Sequence, residues 1–164
     1  MMARTHVVFG LALCLAAGRL GVVPVDALTL GAAGIGSLLP DLDHPKSTFG
    51  RKVPFVSVPF AAIAGHRGFT HSLIGVGLCV AGLLSVVGGL AAPPWAGALE
   101  AGILGYLSHL LIDMGNPAGV PLLFPSRRRF RFPLTCRPGG LLESLLFGLL
   151  SAVVVVGIGS VLAA

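Results

Sequence analysis

Residues 105–113 read GYLSHLLID, an apolar stretch that contains one histidine and one aspartate. Four residues separate His109 from Asp113, which is slightly more than one turn of an α-helix. The two side chains therefore share one helix face, where they can bind a single cation together or form a hydrogen bond to each other. Because such groups are expensive to bury in hydrocarbon, we expect polar partners for them elsewhere in the chain.

The rest of the sequence has the composition of a membrane protein. Of its 164 residues, 55% are hydrophobic and 10% are charged, whereas soluble domains carry about 25% charged residues. The apolar residues occur in long runs, which predict membrane-spanning helices. We therefore expect an all-α fold, a polytopic membrane helical bundle of about five helices that forms a single domain over residues 1–164. The approximate spans are 7–23, 25–39, 71–92, 95–113 and 141–163.

Four further features complete this organisation. A weaker apolar run near 53–65 contains Pro54 and Pro59, which favours a re-entrant or interfacial segment. The first span is not followed by a small-residue cleavage site and a polar stretch, so we expect a retained helix rather than a signal peptide. The cysteines show no spacing typical of a disulfide framework or a metal knot. Glycine patterns such as that of Gly75 and Gly82 are compatible with tight helix packing, within the chain or in a homo-oligomer.

The distribution of positive charge predicts the orientation. If the five spans alternate in direction, the N-terminal segment and the basic loops 40–69 and 114–140 lie on one side of the membrane. These segments hold ten of the eleven Lys and Arg residues, and only Arg19 falls toward the other side. Basic loops stay on the cytoplasmic side of membranes, so we expect this side to be cytoplasmic.

The same arrangement places all five histidines near the cytoplasmic face. Three aspartates that follow the second and fourth spans lie there too. A set of histidine and aspartate ligands without cysteine favours zinc, with manganese or iron as alternatives. We expect one or two bound ions. The predicted metal ligands are His6, Asp41, His66, His71, His109 and Asp113.

Two motifs leave alternatives open. The sequence LLPDLDHPKSTFGRK (38–52) offers either Asp41 or Asp43 as a direct metal ligand. Alternatively, this sequence forms a solvated acidic turn that binds no metal. The sequence GHRGFTHS (65–72) offers either His66 or His71 as a direct metal ligand. Alternatively, its polar residues form a cluster that faces lipid. Arg67, and Lys46 of the first motif, are suited to bind phosphate oxygens.

A basic and aromatic segment, RRRFRF (127–132), suggests two kinds of partner. Interleaved Arg and Phe residues can bind nucleic acid. In a chain this apolar, a patch on anionic lipid headgroups is the favoured interpretation. We therefore expect membrane lipids as partners and do not expect nucleic acid.

The motifs PDLDH, HRGFTHS and SHLLIDMGNPAGVPLLFP, in this order, resemble the YdjM-type family of membrane-bound metal-dependent hydrolases. The resemblance covers roughly residues 5–125. It implies a protein of the bacterial inner (cytoplasmic) membrane, which agrees with the distribution of charge.

A more distant similarity is to zinc-dependent phospholipase C and the single-strand nucleases of the same all-helical fold. The matching order here is His6, Asp41 or Asp43, His71 or His66, then His109 and Asp113. In those enzymes the last aspartate bridges two metal ions, which implies that role for Asp113. They continue with further histidine ligands, whereas this chain has no histidine after Asp113 and has Gly119 where the next would stand. One or two ions are therefore expected, and not three.

The functional hypothesis is a metal-dependent hydrolase of a phosphoester, such as a lipid or lipid-linked phosphate. A bound ion would activate water and polarise the phosphoryl oxygen. Asp43 would orient the water or act as general base, and Arg67 and Lys46 would stabilise charge on the phosphate. The alternatives are a non-catalytic metal-binding scaffold, sensor or transporter, and a membrane-tethered nuclease or nucleic-acid binder.

Overall fold

A computed structural model describes residues 1–45, 47, 50–64, 68–87 and 95–163. Within these ranges the fold is all-helical, and its β-structure is limited to an isolated antiparallel bridge between Val120 and Phe130. Two short 3₁₀ helices, Leu39–Asp43 and Gly50–Lys52, separate the second and third α-helices. The α-helices are α1 (Ala3–Arg19), α2 (Ala27–Gly36), α3 (Pro54–Ala64), α4 (Leu73–Val87), α5 (Ala96–Asp113) and α6 (Leu141–Leu162).

The centre of the fold is α5, which packs against α1, α2 and α4, while α1 also packs against α6. Small residues allow the backbones of α2 and α5 to touch. A Cβ atom at Gly105 would lie 2.1 Å from the carbonyl oxygen of Ala33, and one at Gly36 would lie 2.1 Å from that of Gly102. No side chain other than hydrogen fits at these two positions, and glycine is the residue that allows such close helix crossings.

Local sequence signals set the ends of α2. Asp26 caps the N-terminus by accepting a hydrogen bond from Thr29 N at 2.8 Å, and the Thr29 hydroxyl accepts one from Asp26 N at 3.0 Å. This reciprocal pair is a capping box. At the other end the chain turns into the 3₁₀ helix Leu39–Asp43, with Pro40 near its start. This turn brings the two aspartates of the PDLDH motif to the end of α2.

The predicted spans can now be compared with the helices. Five of the six α-helices fall within or close to the five predicted spans, and the sixth, α3, occupies the weaker run near 53–65 and contains Pro59. Among the described residues, only α6 is both long enough and apolar enough to cross a membrane. The helix α2 has 10 residues, or about 15 Å, roughly half of a hydrocarbon core. The α-helix within the predicted span 25–39 is thus shorter than the span itself, and both the crossing at this segment and the number of crossings stay predictions.

Several hydrogen bonds join helix ends to loops at one end of the molecule. The carboxylate of Glu143, in the first turn of α6, accepts hydrogen bonds from the backbone N–H groups of Met2 and Gly139. Leu73 N, at the start of α4, donates to the carbonyl oxygen of Leu122 at 2.9 Å. These contacts hold the start of α1, the start of α4 and the start of α6 at the end where α5 finishes.

Candidate metal centre

Five of the predicted ligands meet at this end of the molecule. His6 comes from α1, Asp41 from the first 3₁₀ helix, His71 from the residues before α4, and His109 and Asp113 from the last turns of α5. Four of the five are almost completely buried, whereas the side chain of Asp41 is 16% exposed. The cluster is therefore shielded from solvent and opens on the side of Asp41.

The five side chains form two overlapping groups that share His109. The first group is His6, His109 and Asp113, and the second is Asp41, His71 and His109. Within each group the potential ligand atoms all lie within 4.8 Å of one another. The His109 Nε2 atom lies 3.3 Å from His71 Nε2, 3.7 Å from Asp113 Oδ2 and 3.9 Å from Asp41 Oδ1.

The hydrogen bond of the other His109 nitrogen fixes the tautomer of this imidazole. His109 Nδ1 lies 2.7 Å from the carbonyl oxygen of Ser37. A carbonyl oxygen can only accept, so Nδ1 carries the proton and donates it. Ser37 is the C-cap of α2, and its carbonyl is one of those that a helix leaves without an intrahelical partner. In the neutral imidazole, Nε2 therefore presents a lone pair to the centre of the cluster.

His71 is oriented by a chain of two groups. The Thr70 hydroxyl donates to Asp43 Oδ2, and the same Thr70 oxygen lies 3.0 Å from His71 Nδ1. A hydroxyl has one proton to give. Since Thr70 gives its proton to the carboxylate, its oxygen accepts from His71 Nδ1. The neutral His71 ring thus also presents its Nε2 lone pair to His109.

This arrangement is the chemistry of a cation site. Two Nε2 lone pairs face each other at 3.3 Å, and the nearest carboxylate oxygens are further acceptors. Two facing lone pairs with no donor between them, like those of His71 and His109, are stabilised by a cation that lies between them. The three distances at His109, from 3.3 to 3.9 Å, also fit, because ligands of a tetrahedral zinc ion lie roughly 3.4 Å apart.

His6 completes the other side of the cluster. Its Nε2 atom lies 3.4 Å from Asp113 Oδ1, and its ring stacks on that of His109 with centroids 3.8 Å apart. Its Nδ1 atom has no hydrogen-bond partner among the described residues. The nitrogen of Met1 lies 2.6 Å from the same oxygen of Asp113. His6 thus belongs to the first group and also covers one face of His109.

The other predicted site residues have different placements. His66, Arg67 and Lys46 lie outside the described residues, so their roles stay predictions. Asp43 is fully buried and contacts Thr70 and His71, the latter at 3.5 Å from Nδ1. Its contacts give it a part in orienting His71, whereas its predicted role in activating water stays untested.

The basic segment lies beside the cluster without entering it. Its backbone is tied to the residues after α5 by hydrogen bonds from Phe132 N to Met114 O and from Cys136 N to Gly115 O, both 2.8 Å. The side chains of Arg127, Arg128 and Arg129 are exposed.

Burial raises the pKa of the Cys136 thiol, and the Glu143 carboxylate raises it further. A thiol with a raised pKa is protonated at neutral pH, so Cys136 is a poor nucleophile or metal ligand.

Three groups around the cluster were not identified from the sequence. They are the Ser37 carbonyl, the Thr70 hydroxyl and the Tyr106 hydroxyl, which donates to the Thr70 carbonyl oxygen at 2.5 Å. Thr70 stands next to His71 in the motif GFTHS, and this position is the sequence feature that could have identified it as a partner of His71. The other two depend on how α2 and α4 pack against α5, which a local motif does not encode.

Comparison with known proteins agrees with this arrangement of motifs. A profile of the family described as "YdjM inner membrane protein" matches residues 1–163. The chain is 45% identical over 140 residues to the inner membrane protein YdjM of Escherichia coli K12, which covers 82% of this chain and 70% of that protein. The YdjM protein of Shigella flexneri matches equally well.

A relative from a distant bacterium matches over a similar length. The protein YvsG of Bacillus subtilis, described as uncharacterized, is 36% identical over 147 residues, which is 88% of this chain and 86% of YvsG. No solved structure matches the chain. With a family profile that spans nearly the whole sequence and relatives well above 30% identity, this chain belongs to the YdjM family of inner membrane proteins.

Proposed function

We propose that this protein is a membrane-bound, metal-dependent hydrolase that acts on a phosphoester. The observation that carries the proposal is the convergence of five histidine and aspartate side chains, in which the Nε2 lone pairs of His71 and His109 face each other. A structural network would pair these two nitrogens with donors, whereas here the Nδ1 protons of His71 and His109 are used outside the cluster, on Thr70 and Ser37. The acceptors that remain are those of a metal site.

The proposed ligands are His71, His109 and Asp41, with Asp113 and His6 on the adjoining side. Histidine and carboxylate ligands favour zinc, and manganese or iron are the alternatives. When bound, such an ion acts as a Lewis acid on a phosphoryl oxygen and activates water for attack. Because His109 has one lone pair and belongs to both groups, we propose that a single ion is bound through it.

The remaining residues hold the ligands or meet the substrate. Ser37 fixes the ring of His109, and Thr70 together with Asp43 fixes the ring of His71; such supporting hydrogen bonds typically change metal affinity by about 10- to 100-fold. The exposed edge of Asp41 is the side from which a substrate would enter. Arg67 and Lys46 are proposed to bind the phosphate oxygens.

The substrate class follows from the position of the cluster. A site near basic segments attracts anions, and lipids and lipid-linked carriers present phosphate groups at the surface of the membrane. We propose a multi-pass arrangement with the cluster at the cytoplasmic face, as the distribution of Lys and Arg predicts. The metal-binding scaffold or sensor uses the same ligands and differs only in lacking turnover.

The test is an assay on detergent-purified, metal-loaded protein with p-nitrophenyl phosphate and bis(p-nitrophenyl) phosphate. We expect turnover of at least one of these substrates that disappears on chelation and in Asp41→Asn and His109→Ala. Ser108→Ala is the matched control, because Ser108 is buried beside His109 but bonds only within its helix, to Gly105 O. Bound metal without turnover of either substrate, or of dodecyl phosphate, would support the scaffold or sensor instead.

A further inference from the structure

An apolar groove lies between α2, α4 and α5. Its volume is about 540 Å³, within the range of about 300–1,000 Å³ that is usual for ligand sites. The walls are built from apolar side chains, among them Ile35, Leu83, Val86 and Leu99. Glycines line it as well, and a Cβ atom at Gly82 would have no heavy atom within 4 Å, so the space beside α4 is open.

One end of the groove adjoins the candidate metal centre. Leu39, which lines the groove, stands two residues before Asp41. Tyr106, which also lines it, stands one helical turn before His109, and its hydroxyl donates to the carbonyl oxygen of Thr70, the neighbour of His71. The apolar wall therefore ends where the histidine and aspartate side chains begin.

The other end of the groove is reached at Trp95, next to the start of α5. Eleven residues of helical rise separate Trp95 from Tyr106, which is about 16 Å. The groove is thus elongated and apolar along its length, and the histidine and aspartate cluster lies beyond its Tyr106 end. A molecule with a hydrocarbon chain and a charged headgroup has the same distribution of polarity.

We infer that this groove holds the hydrocarbon tail of the substrate, so that the substrate is an amphiphilic phosphoester whose phosphate lies at the histidine and aspartate cluster. The inference rests on the proposed function and names the class of substrate for that site. Each further methylene buried in the groove should raise the affinity roughly fourfold, so affinity rises with chain length. Phosphoesters without a tail are then poor substrates that bind through the phosphate alone.

The test uses dodecyl phosphate with a photoreactive diazirine at the end of its chain, added to metal-loaded protein in phosphatidylcholine nanodiscs. We expect adducts on residues that line the groove away from the cluster, among them Leu83, Val86 and Leu99. Unlabelled dodecyl phosphate should compete for labelling, and dodecanol, which has the tail without the phosphate, should compete at least about tenfold less well.

Two substitutions on α4 form a matched pair. Gly82→Phe places a ring in the groove and should reduce labelling at least about tenfold. Gly77→Phe is the control, because a Cβ atom at Gly77 also has nothing within 4 Å, but Gly77 does not line the groove. Equal labelling of the two variants, or equal competition by dodecanol, would overturn the tail site and identify the groove as a contact with bulk lipid.

The experiment separates this inference from the function on which it rests. Metal content and turnover of p-nitrophenyl phosphate, which has no alkyl tail, are measured on the same wild-type preparation. If metal and turnover are both present but labelling does not depend on the phosphate group, the proposed tail site is wrong and the proposed hydrolase activity is still supported. If both are absent, the hydrolase itself is wrong, whatever the labelling pattern.

Discussion

At the scale of single residues, His109 is the side chain on which the cluster depends. It contacts three elements: the end of α2 through the Ser37 carbonyl, the residues before α4 through His71, and α1 through the stacked ring of His6. Its buried Nδ1–H is satisfied by a carbonyl that the helix end leaves without a partner. The Nε2 lone pair is consequently aimed at the cation position before any ion binds.

Thr70 is predicted to be a positioning residue for His71. Thr70→Val keeps the shape of the side chain but removes the hydroxyl that links Asp43 to His71 Nδ1. We expect the metal affinity to fall by about 10- to 100-fold, the range seen when supporting hydrogen bonds of metal ligands are removed. Competition with a chromophoric chelator measures this affinity.

A conservative variant provides the control. Thr70→Ser retains the hydroxyl and should restore most of the affinity, while the fold of both variants is checked by circular dichroism. If Thr70→Val binds metal as tightly as wild type, His71 is oriented by other contacts and the proposed hydrogen-bond chain has no part in the site.

At the scale of elements, the crossing of α2 and α5 positions the cluster. The two helices approach so closely that the backbone of each lies where a side chain of the other would be. This contact brings the end of α2, with Ser37 and the following aspartates, next to the last turns of α5. The candidate metal centre therefore depends on glycines that supply no ligand atoms themselves.

Gly105→Ala should destabilise the protein, because its new methyl group would lie 2.1 Å from the Ala33 carbonyl oxygen. We expect a loss of about 1–3 kcal/mol, the usual cost of overpacking, together with weaker metal binding. Thermal unfolding in detergent measures the first effect.

Gly31→Ala is the matched control, since its methyl group would meet nothing within 4 Å. Alanine is a better helix former than glycine by about 1 kcal/mol, so this variant should be as stable as wild type or more stable. Equal stability of the two variants would show that α2 and α5 are not packed as closely as described.

The elements also show what the sequence could predict and what it could not. Hydropathy located five helices because apolar runs are local, and the alternation of spans placed His6, Asp41, His71, His109 and Asp113 at one end. The length of α2 was overestimated because the apolar run continues past Gly36 into a 3₁₀ helix. The roles of Ser37 and Tyr106 depend on the contact between helices, which periodicity does not reveal.

At the scale of the whole molecule, the chain is a helical membrane protein of the YdjM family with its acceptor-rich cluster at one end. Relatives in E. coli and B. subtilis match over most of its length. An apolar groove runs along α5 and ends next to the cluster, and the basic segment after α5 lies beside the cluster. Apolar helices, a candidate cation site and nearby positive charge together support the proposed hydrolase of a lipid phosphate.

The proposed function depends on the binding of a metal ion to the cluster through His109. The most direct test is the metal content of detergent-purified protein, measured by elemental mass spectrometry for wild type, His109→Ala and the control Ser108→Ala. We predict about one equivalent of zinc, manganese or iron in wild type and Ser108→Ala, and none in a folded His109→Ala. A folded wild type that binds no metal, even after each of these ions is offered back, would contradict the account.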